Sequence, residues 1–170
     1  MATFVMRRLD DGDRDWAAEL WSQGWCGPAM MSWGVTPLID ALPRDRHRAG
    51  RGGVGGTPVG LVNYHIAGDG CEIVSLDSPR EGLGVGSALI AAVRDVAAET
   101  GLARLWLVAT NENLSALRFY QKRDVRLTAE QRGAATTARQ RTPPIPVTGI
   151  DGIPLRDEIE LGLPLGGGST

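Results

Sequence analysis

Cys71-Glu72-Ile73-Val74-Ser75-Leu76-Asp77-Ser78-Pro79-Arg80-Glu81-Gly82-Leu83-Gly84-Val85-Gly86-Ser87 is the stretch that decides the fold. It opens as an apolar strand, breaks at Ser78-Pro79, and runs through three alternating glycines into a helix. Glycine lets the main chain approach a ligand closely and adopt positive φ. The helix places Val85, Leu89, Val93 and Val96 at helical spacing, and Gly101 ends it. Ala103–Ala109 is then a second apolar strand containing Trp106. Strand, helix and adjacent parallel strand form a βαβ unit with an expected right-handed crossover. Such a turn exposes backbone N–H groups at the positive end of a helix dipole, which suits a phosphate. A plain tight turn before a packed helix is the bland alternative. Two named phosphate motifs fall away: there is no Lys-Ser/Thr pair for a Walker A loop, and the third Rossmann glycine would fall on Leu89 or Ser87.

Downstream, Asn111-Glu112-Asn113-Leu114-Ser115-Ala116-Leu117-Arg118-Phe119-Tyr120 ends that strand and enters a short helix extending to Lys122. It brings a tyrosine, a side chain able to give up a proton. A strand at Val125–Ala129, a helix at Gly133–Arg141 and a last strand at Asp157–Leu163 follow; Pro143, Pro144 and Pro146 stop the helix. Upstream, Phe4–Leu9 reads as a strand and Asp13–Gly24 as a helix with Trp16, Leu20 and Trp21 on its buried side. Pro58–Ile66 is a strand joined to Cys71–Leu76 by a hairpin with Asp69-Gly70 at its centre. Gly24–Pro43 reads as a loop or short helices with exposed apolar side chains, a segment able to line a pocket or, the plainer reading, to pack as an irregular lid. Arg44–Gly56 has five glycines and almost no apolar residue, so it is expected to be a loop or a frayed edge strand, with its basic side chains solvated. The order of elements implies an α/β fold, a mixed sheet with a parallel pair at its centre.

At 170 residues the chain is long enough for one core. One domain over 1–165 is expected, with 166–170 as a flexible glycine-rich tail. A net charge of −2 gives no support for nucleic acid or an acidic membrane as partner. Cys26 and Cys71 are too few for a disulfide framework and lack C-x-x-C spacing, which fits reduced thiols in a cytoplasmic protein. The N-terminus carries no signal-peptide pattern, no apolar run reaches the roughly 18 residues of a membrane span, and no metal is expected.

Gly82-x-Gly84-x-Gly86 followed by Ala88-Leu89-Ile90 resembles motif A of the GNAT superfamily of N-acetyltransferases. Asn113-x-x-Ala116-x-x-x-Tyr120-x-Lys122 resembles the motif that follows it, in the right order and separated by one helix and one strand. The likeness is sharp over Glu72–Lys122 and extends over Phe4–Leu163 as element order. It implies acetyl-CoA as co-substrate. The backbone of Val74, Ser75 and Leu76 would bind the pantetheine arm like an added strand. The N–H groups of Glu81, Gly82, Leu83, Gly84, Val85, Gly86 and Ser87 would hold the pyrophosphate. Asn113 would approach the cofactor, and Tyr120 would stand near its sulfur.

A phenol there can protonate the leaving thiolate, and backbone N–H groups can polarise the thioester carbonyl. Tyr120 as a core-filling helix residue is the plain alternative. For the base that takes a proton from the attacking ammonium, Glu72 stands first, with His65, Asp77 and water still open. Strict alternation would put Glu72, Val74 and Leu76 on one face and Cys71, Ile73, Ser75 and Asp77 on the other. Four departures from the family pattern stand out. Glu81 sits where Gln or Arg is common; Asp124 sits where glycine serves as an αL helix stop; Val125 replaces a large aromatic; and the Arg44–Gly56 run replaces a sheet strand. The expected reaction is acetyl transfer to a primary amine, of a small molecule or peptide, by direct attack in a ternary complex. The acceptor side would come from Trp21–Leu42 and the tail after Pro143. A noncatalytic acyl-CoA-binding or dimerising module is the rival, and a homodimer is left open.

Overall fold

The computed structural model describes residues 4–8, 11–22, 47–52, 58–79, 82–141 and 145–166. Within these, the elements run in the order β1 (Phe4–Arg8), α1 (Arg14–Ser22), β2 (His47–Gly52), β3 (Pro58–Ala67), β4 (Gly70–Asp77), α2 (Val85–Glu99), β5 (Arg104–Thr110), α3 (Leu114–Gln121), β6 (Arg126–Gln131), α4 (Ala134–Arg141) and β7 (Glu158–Pro164). The described strands form one sheet in the order β1-β2-β3-β4-β5-β7-β6. Only β4 and β5 run parallel; the other neighbours are antiparallel. The mixed α/β sheet with a central parallel pair is therefore as expected, and α2 is the crossover between its two parallel strands.

The main core lies between the sheet and α2. Val85, Leu89 and Val93 are buried at helical spacing against Val62, Tyr64, Cys71 and Ile73 of β3 and β4 and Leu105, Leu107 and Leu161 beyond them. Burying a side chain of this size contributes about 1.5–3 kcal/mol, so this layer dominates the cohesion of the central unit. On the opposite face, Ala17, Trp16 and Leu20 of α1 pack against Leu61. A satellite cluster of Ala135, Ala138, Ile145 and Leu155 closes the far end. There Arg139 donates to the carbonyl oxygens of Ile145, Pro146 and Leu155 at 2.8–3.0 Å, tying α4 to the segment before β7.

Three expectations need correction. His47–Gly52 is an interior strand, paired with β1 on one side and β3 on the other, rather than a loop or frayed edge. Backbone hydrogen bonds alone sustain such a strand when both neighbours present complementary edges, and side-chain patterning cannot report that. Its register shifts at Gly50/Arg51, as glycine in a strand permits. The hairpin between β3 and β4 turns on Gly68-Asp69, with Gly68 at φ 59°, rather than on Asp69-Gly70. The third concerns alternation along β4. Register slips between Asn63 and Tyr64, so that Tyr64 opposes Ile73 while Asn63 opposes Ser75, leaving Val74 as the extra residue of a bulge. Leu76 thus joins Cys71 and Ile73 on the α2 face, where it packs against the main core. Ser75 and Asp77 turn to the α1 face with Glu72, opposite Asn63, Leu61 and His65.

The expectation for Gly24–Pro43 falls wholly outside the described residues, as do the side chain of Trp21, Glu81 and the last four residues of the tail.

Candidate active site

β4 and β5 stay paired only from Gly70↔Arg104 to Ile73↔Leu107. Beyond Ile73, β4 continues to Asp77 with β3 as its one strand partner, while β5 continues to Thr110 against β7. The two parallel strands thus part at the Val74 bulge, and the edge of Val74, Ser75 and Leu76 that faces β5 is without a partner strand among the described residues. In a parallel sheet, the crevice at the carboxyl ends of diverging strands is where ligands bind.

The glycine turn stands at the mouth of this slot. Gly82 and Gly84 have φ near 78° and 79°, a region that L side chains rarely adopt, and both are exposed. Gly84 caps α2 without any side-chain hydrogen bond. The first-turn N–H groups of Val85, Gly86 and Ser87 have no acceptor within the helix, which leaves them available to an anion. Gly86 is needed for another reason: a Cβ there would lie 2.8 Å from Phe119 Cζ and 3.5 Å from Leu76 Cδ2, so α3 can approach α2 closely only over a glycine.

α3 supplies the other wall. Asn113 Oδ1 accepts from Ala116 N at 3.1 Å and from Ser115 Oγ at 3.1 Å, which fixes the start of the helix. The carboxamide oxygen of Asn113 is therefore committed to capping, and its Nδ2 is the group left to face a ligand. Tyr120 is 8% exposed and meets Phe119 edge to face at 5.1 Å. Its hydroxyl is held well above the usual phenol pKa by burial first and by the charge of Asp77 second, with Arg123 pulling the other way. It is a protonated group at any physiological pH. Asp124 closes the helix at φ 62°, the αL conformation expected of it, and Val125 is buried in the core behind Tyr120.

Asp77 is half-buried; burial raises its carboxyl from 3.8 to about 6, and a hydrogen bond from Ser75 partly offsets that. Asn63 Nδ2 donates to Ser75 Oγ at 2.6 Å in a fully buried contact. Glu72 stands one step back, in the paired part of β4, level with His65 on one side and Trp106 on the other. The structure thus gathers Val74, Ser75, Leu76, Asp77, the glycine turn and Tyr120 around one slot, and leaves Glu72 at its base.

Sequence reading missed Asn63 and Arg123. Arg123 donates from Nε and Nη2 to Ser87 Oγ at 3.0 and 2.7 Å and from Nη1 to Phe119 O at 2.7 Å, with its guanidinium 3.6 Å from the Phe119 ring centre. It joins α3 to the first turn of α2 and sets positive charge beside the phosphate-suited N–H groups. An arginine immediately after Lys122 was the available signal. For Asn63, the signal was an amide between Val62 and Tyr64 in an apolar strand, since a buried polar group needs a partner.

At the carboxyl end of β5, Asn111 ties down the segment before β7: its Nδ2 donates to Pro154 O, and its Oδ1 accepts from Arg156 N and Asp157 N. Among the described residues there is no group of His, Cys, Asp and Glu arranged to hold a metal, and no helix is long and apolar enough to cross a membrane.

Comparison with known proteins agrees with this geometry. The profile described as "Acetyltransferase (GNAT) family" matches residues 15–124. Two Bacillus subtilis proteins, YxbD and YdhI, both described as uncharacterized, are 43% and 41% identical over 103 and 104 residues. Each match covers 61% of this chain, and the chain spans 65% of the length of each relative. Among solved structures, a Bacillus subtilis acetyltransferase in complex with CoA superposes with a TM-score of 0.69 at 18% identity, covering 96% of this chain and 99% of that one. A GNAT family acetyltransferase from Elizabethkingia anophelis with acetyl-CoA bound gives 0.69 at 18% identity, over 95% and 97%. At that identity the structures speak to the fold, while the profile covers well over half of the chain. The chain belongs to the GNAT family of acetyltransferases.

Proposed function

We propose that this protein transfers an acetyl group from acetyl-CoA to a primary amine by direct attack within a ternary complex. The observation that carries the reading is the parting of β4 and β5 at Val74, with the glycine turn at one end of the gap and Tyr120 in its wall. The free edge of Val74, Ser75 and Leu76 offers main-chain partners to the pantetheine amides. The N–H groups of Gly82 to Ser87 receive the pyrophosphate, with Arg123 adding charge through its contact with Ser87. Asn113 Nδ2 is free to turn to the cofactor. Acetyl-CoA bound this way, also the ligand of a neighbouring GNAT structure, supplies an activated acyl group; the protein supplies position, a dry wall and protons.

Tyr120 gives its proton to the sulfur as the C–S bond breaks. Its high pKa is no obstacle, because the departing thiolate meets it in a water-poor wall, where proton transfer within a hydrogen bond replaces release to solvent. Backbone N–H groups at the Val74 bulge stabilise the oxyanion as charge develops. A carboxylate on β4 takes the proton of the acceptor ammonium; Glu72 and Asp77 both lie on the α1 face for that task.

The test combines calorimetry with acetyl-CoA and thiol release over a panel of benzylamine, spermidine, lysine and an alanyl peptide. Micromolar binding with turnover of at least one amine is the expected result. Tight CoA binding with no turnover of any amine would favour a noncatalytic acyl-CoA-binding module.

A further inference from the structure

The Val74 bulge brings three polar side chains into a row. It turns Ser75 and Asp77 to the α1 face, opposite Asn63 and Leu61 of β3. Asn63, with no exposed surface, donates to Ser75 Oγ at 2.6 Å. Asp77 lies two residues on and on the same face as Ser75, whose hydroxyl favours the charged form of its carboxyl. Each member fixes the next, and only the last reaches the rim: Asn63 and Ser75 are buried, while Asp77 is half-buried. The row ends on an anion, in the stretch of β4 that has no partner strand on the β5 side among the described residues. Glu72, the carboxylate that sequence reading favours, is instead flanked by paired strands at His65 and Trp106.

We infer that Asp77, oriented by Ser75 and through it by Asn63, is the general base that removes the proton from the acceptor ammonium, in place of Glu72. The inference rests on the acetyl-transfer reading above. The ammonium gives one proton to the Asp77 carboxylate. The neutral amine attacks the thioester carbon and forms the C–N bond. As the adduct collapses, the C–S bond breaks with its electron pair on sulfur, and the Tyr120 hydroxyl protonates that sulfur. The phenolate then takes the remaining extra proton from nitrogen, and Asp77 releases its own to solvent. The net products are the amide, CoA thiol and one proton.

Base and acid are coupled in a useful direction. Burial first and the Asp77 charge second keep the Tyr120 phenol protonated. Once Asp77 accepts its proton the second influence vanishes, so Tyr120 becomes a stronger acid in the half-reaction that needs one. Among the described residues, Tyr120 and, behind it, Arg123 are the titratable and charged groups of α3 that act here. α1 brings apolar Trp16, Ala17 and Leu20 to Leu61, the residue opposite Asp77, and α2 presents Val85 and Leu89 to Gly60 beside the Asp77 carbonyl.

The test has two readouts. The first is the pH profile of kcat/KM with an amine of the panel that turns over. The second is a carbon-13 NMR titration of the Asp77 carboxyl in CoA-saturated protein, which needs no acceptor. The wild type should show an acidic limb and an NMR midpoint near pH 6. Asp77→Asn should lose that limb and roughly 100-fold or more in kcat, with acetyl-CoA affinity held within about two-fold by calorimetry. Ser75→Ala, which removes the donor that stabilises the anion, should move both limb and midpoint upward. A limb that survives Asp77→Asn, or that moves with Glu72→Gln instead, overturns the assignment. So does an Asp77 midpoint near 4 that ignores Ser75→Ala. Loss of acetyl-CoA binding in the wild type would instead strike at the acetyl-transfer reading, and calorimetry reads that separately.

Discussion

The two halves of β4 behave as different materials. From Gly70 to Ile73 the strand is held on both edges, by β3 and by β5, and Cys71 and Ile73 are buried under α2. From Val74 to Asp77 it has β3 alone among the described strands, its alternation is reversed by the bulge, and its side chains are divided between the core (Leu76) and a polar row (Ser75, Asp77). The first half secures the fold. The second is the part with spare main-chain groups and a titrating side chain. One unpaired residue, Val74, separates them, so a stability problem and a chemical problem are solved four residues apart on one strand.

That contrast can be broken most severely at the wall of the open half. Tyr120→Phe keeps the ring that packs on Phe119 and removes only the proton. Thiol-release kcat should fall between about 100- and 10,000-fold while acetyl-CoA binding by calorimetry stays within about two-fold. A loss of less than ten-fold would mean that water, not Tyr120, protonates the sulfur. Next is the closed half: Ile73→Ala, at a side chain 4% exposed in the main core, should cost about 2–5 kcal/mol in urea unfolding. Leu76→Ala in the open half, where the side chain is only partly buried, should cost visibly less. Equal losses would erase the distinction.

A third expectation has the opposite sign. Asp77 binds its proton more tightly folded than unfolded, about 6 against 3.8. Stability is therefore greatest on the acid side of that window and falls as pH rises through 4 to 6. Asp77→Asn removes this cost. It should raise the unfolding free energy at pH 8 by about 2 kcal/mol, after discounting the shift for partial exposure, with the gain fading towards pH 4. A variant that destabilises at pH 8 would show the polar row to be a structural network. The smallest effect belongs to Asn113→Ala, which should cost about 1 kcal/mol through loss of the α3 cap, measured by thermal unfolding.

How much was legible follows from what each element needs. α2 and β5 announce themselves because both are buried through regular apolar spacing, and the glycines at 82 and 84 stand where positive φ is in fact used. Asp124 in αL was legible for a similar reason, since short acidic side chains tolerate that region. β2 was not, because nothing in His-Arg-Ala-Gly-Arg-Gly signals a strand; its neighbours do. The relation between the two candidate carboxylates of β4 was illegible for reasons of register. Alternation is a local rule, and a bulge is decided by how two strands align: counted as an ordinary strand residue, Val74 sets Glu72 and Asp77 on opposite faces, whereas the bulge sets both on the α1 face.

The sequence by itself determined the central unit of the molecule: a strand, a glycine turn, a helix, a parallel strand and a tyrosine helix. Each depends on local spacing and backbone preference, which the order of residues carries directly. Only the tertiary structure decided where β4 and β5 part, that Asn63, Ser75 and Asp77 form one row, and that Arg123 braces Ser87 across two helices. Those facts depend on pairing between segments distant in the chain. Their physical reason is that hydrogen-bond register and side-chain reach are properties of neighbours in space, for which periodicity along the chain has no term.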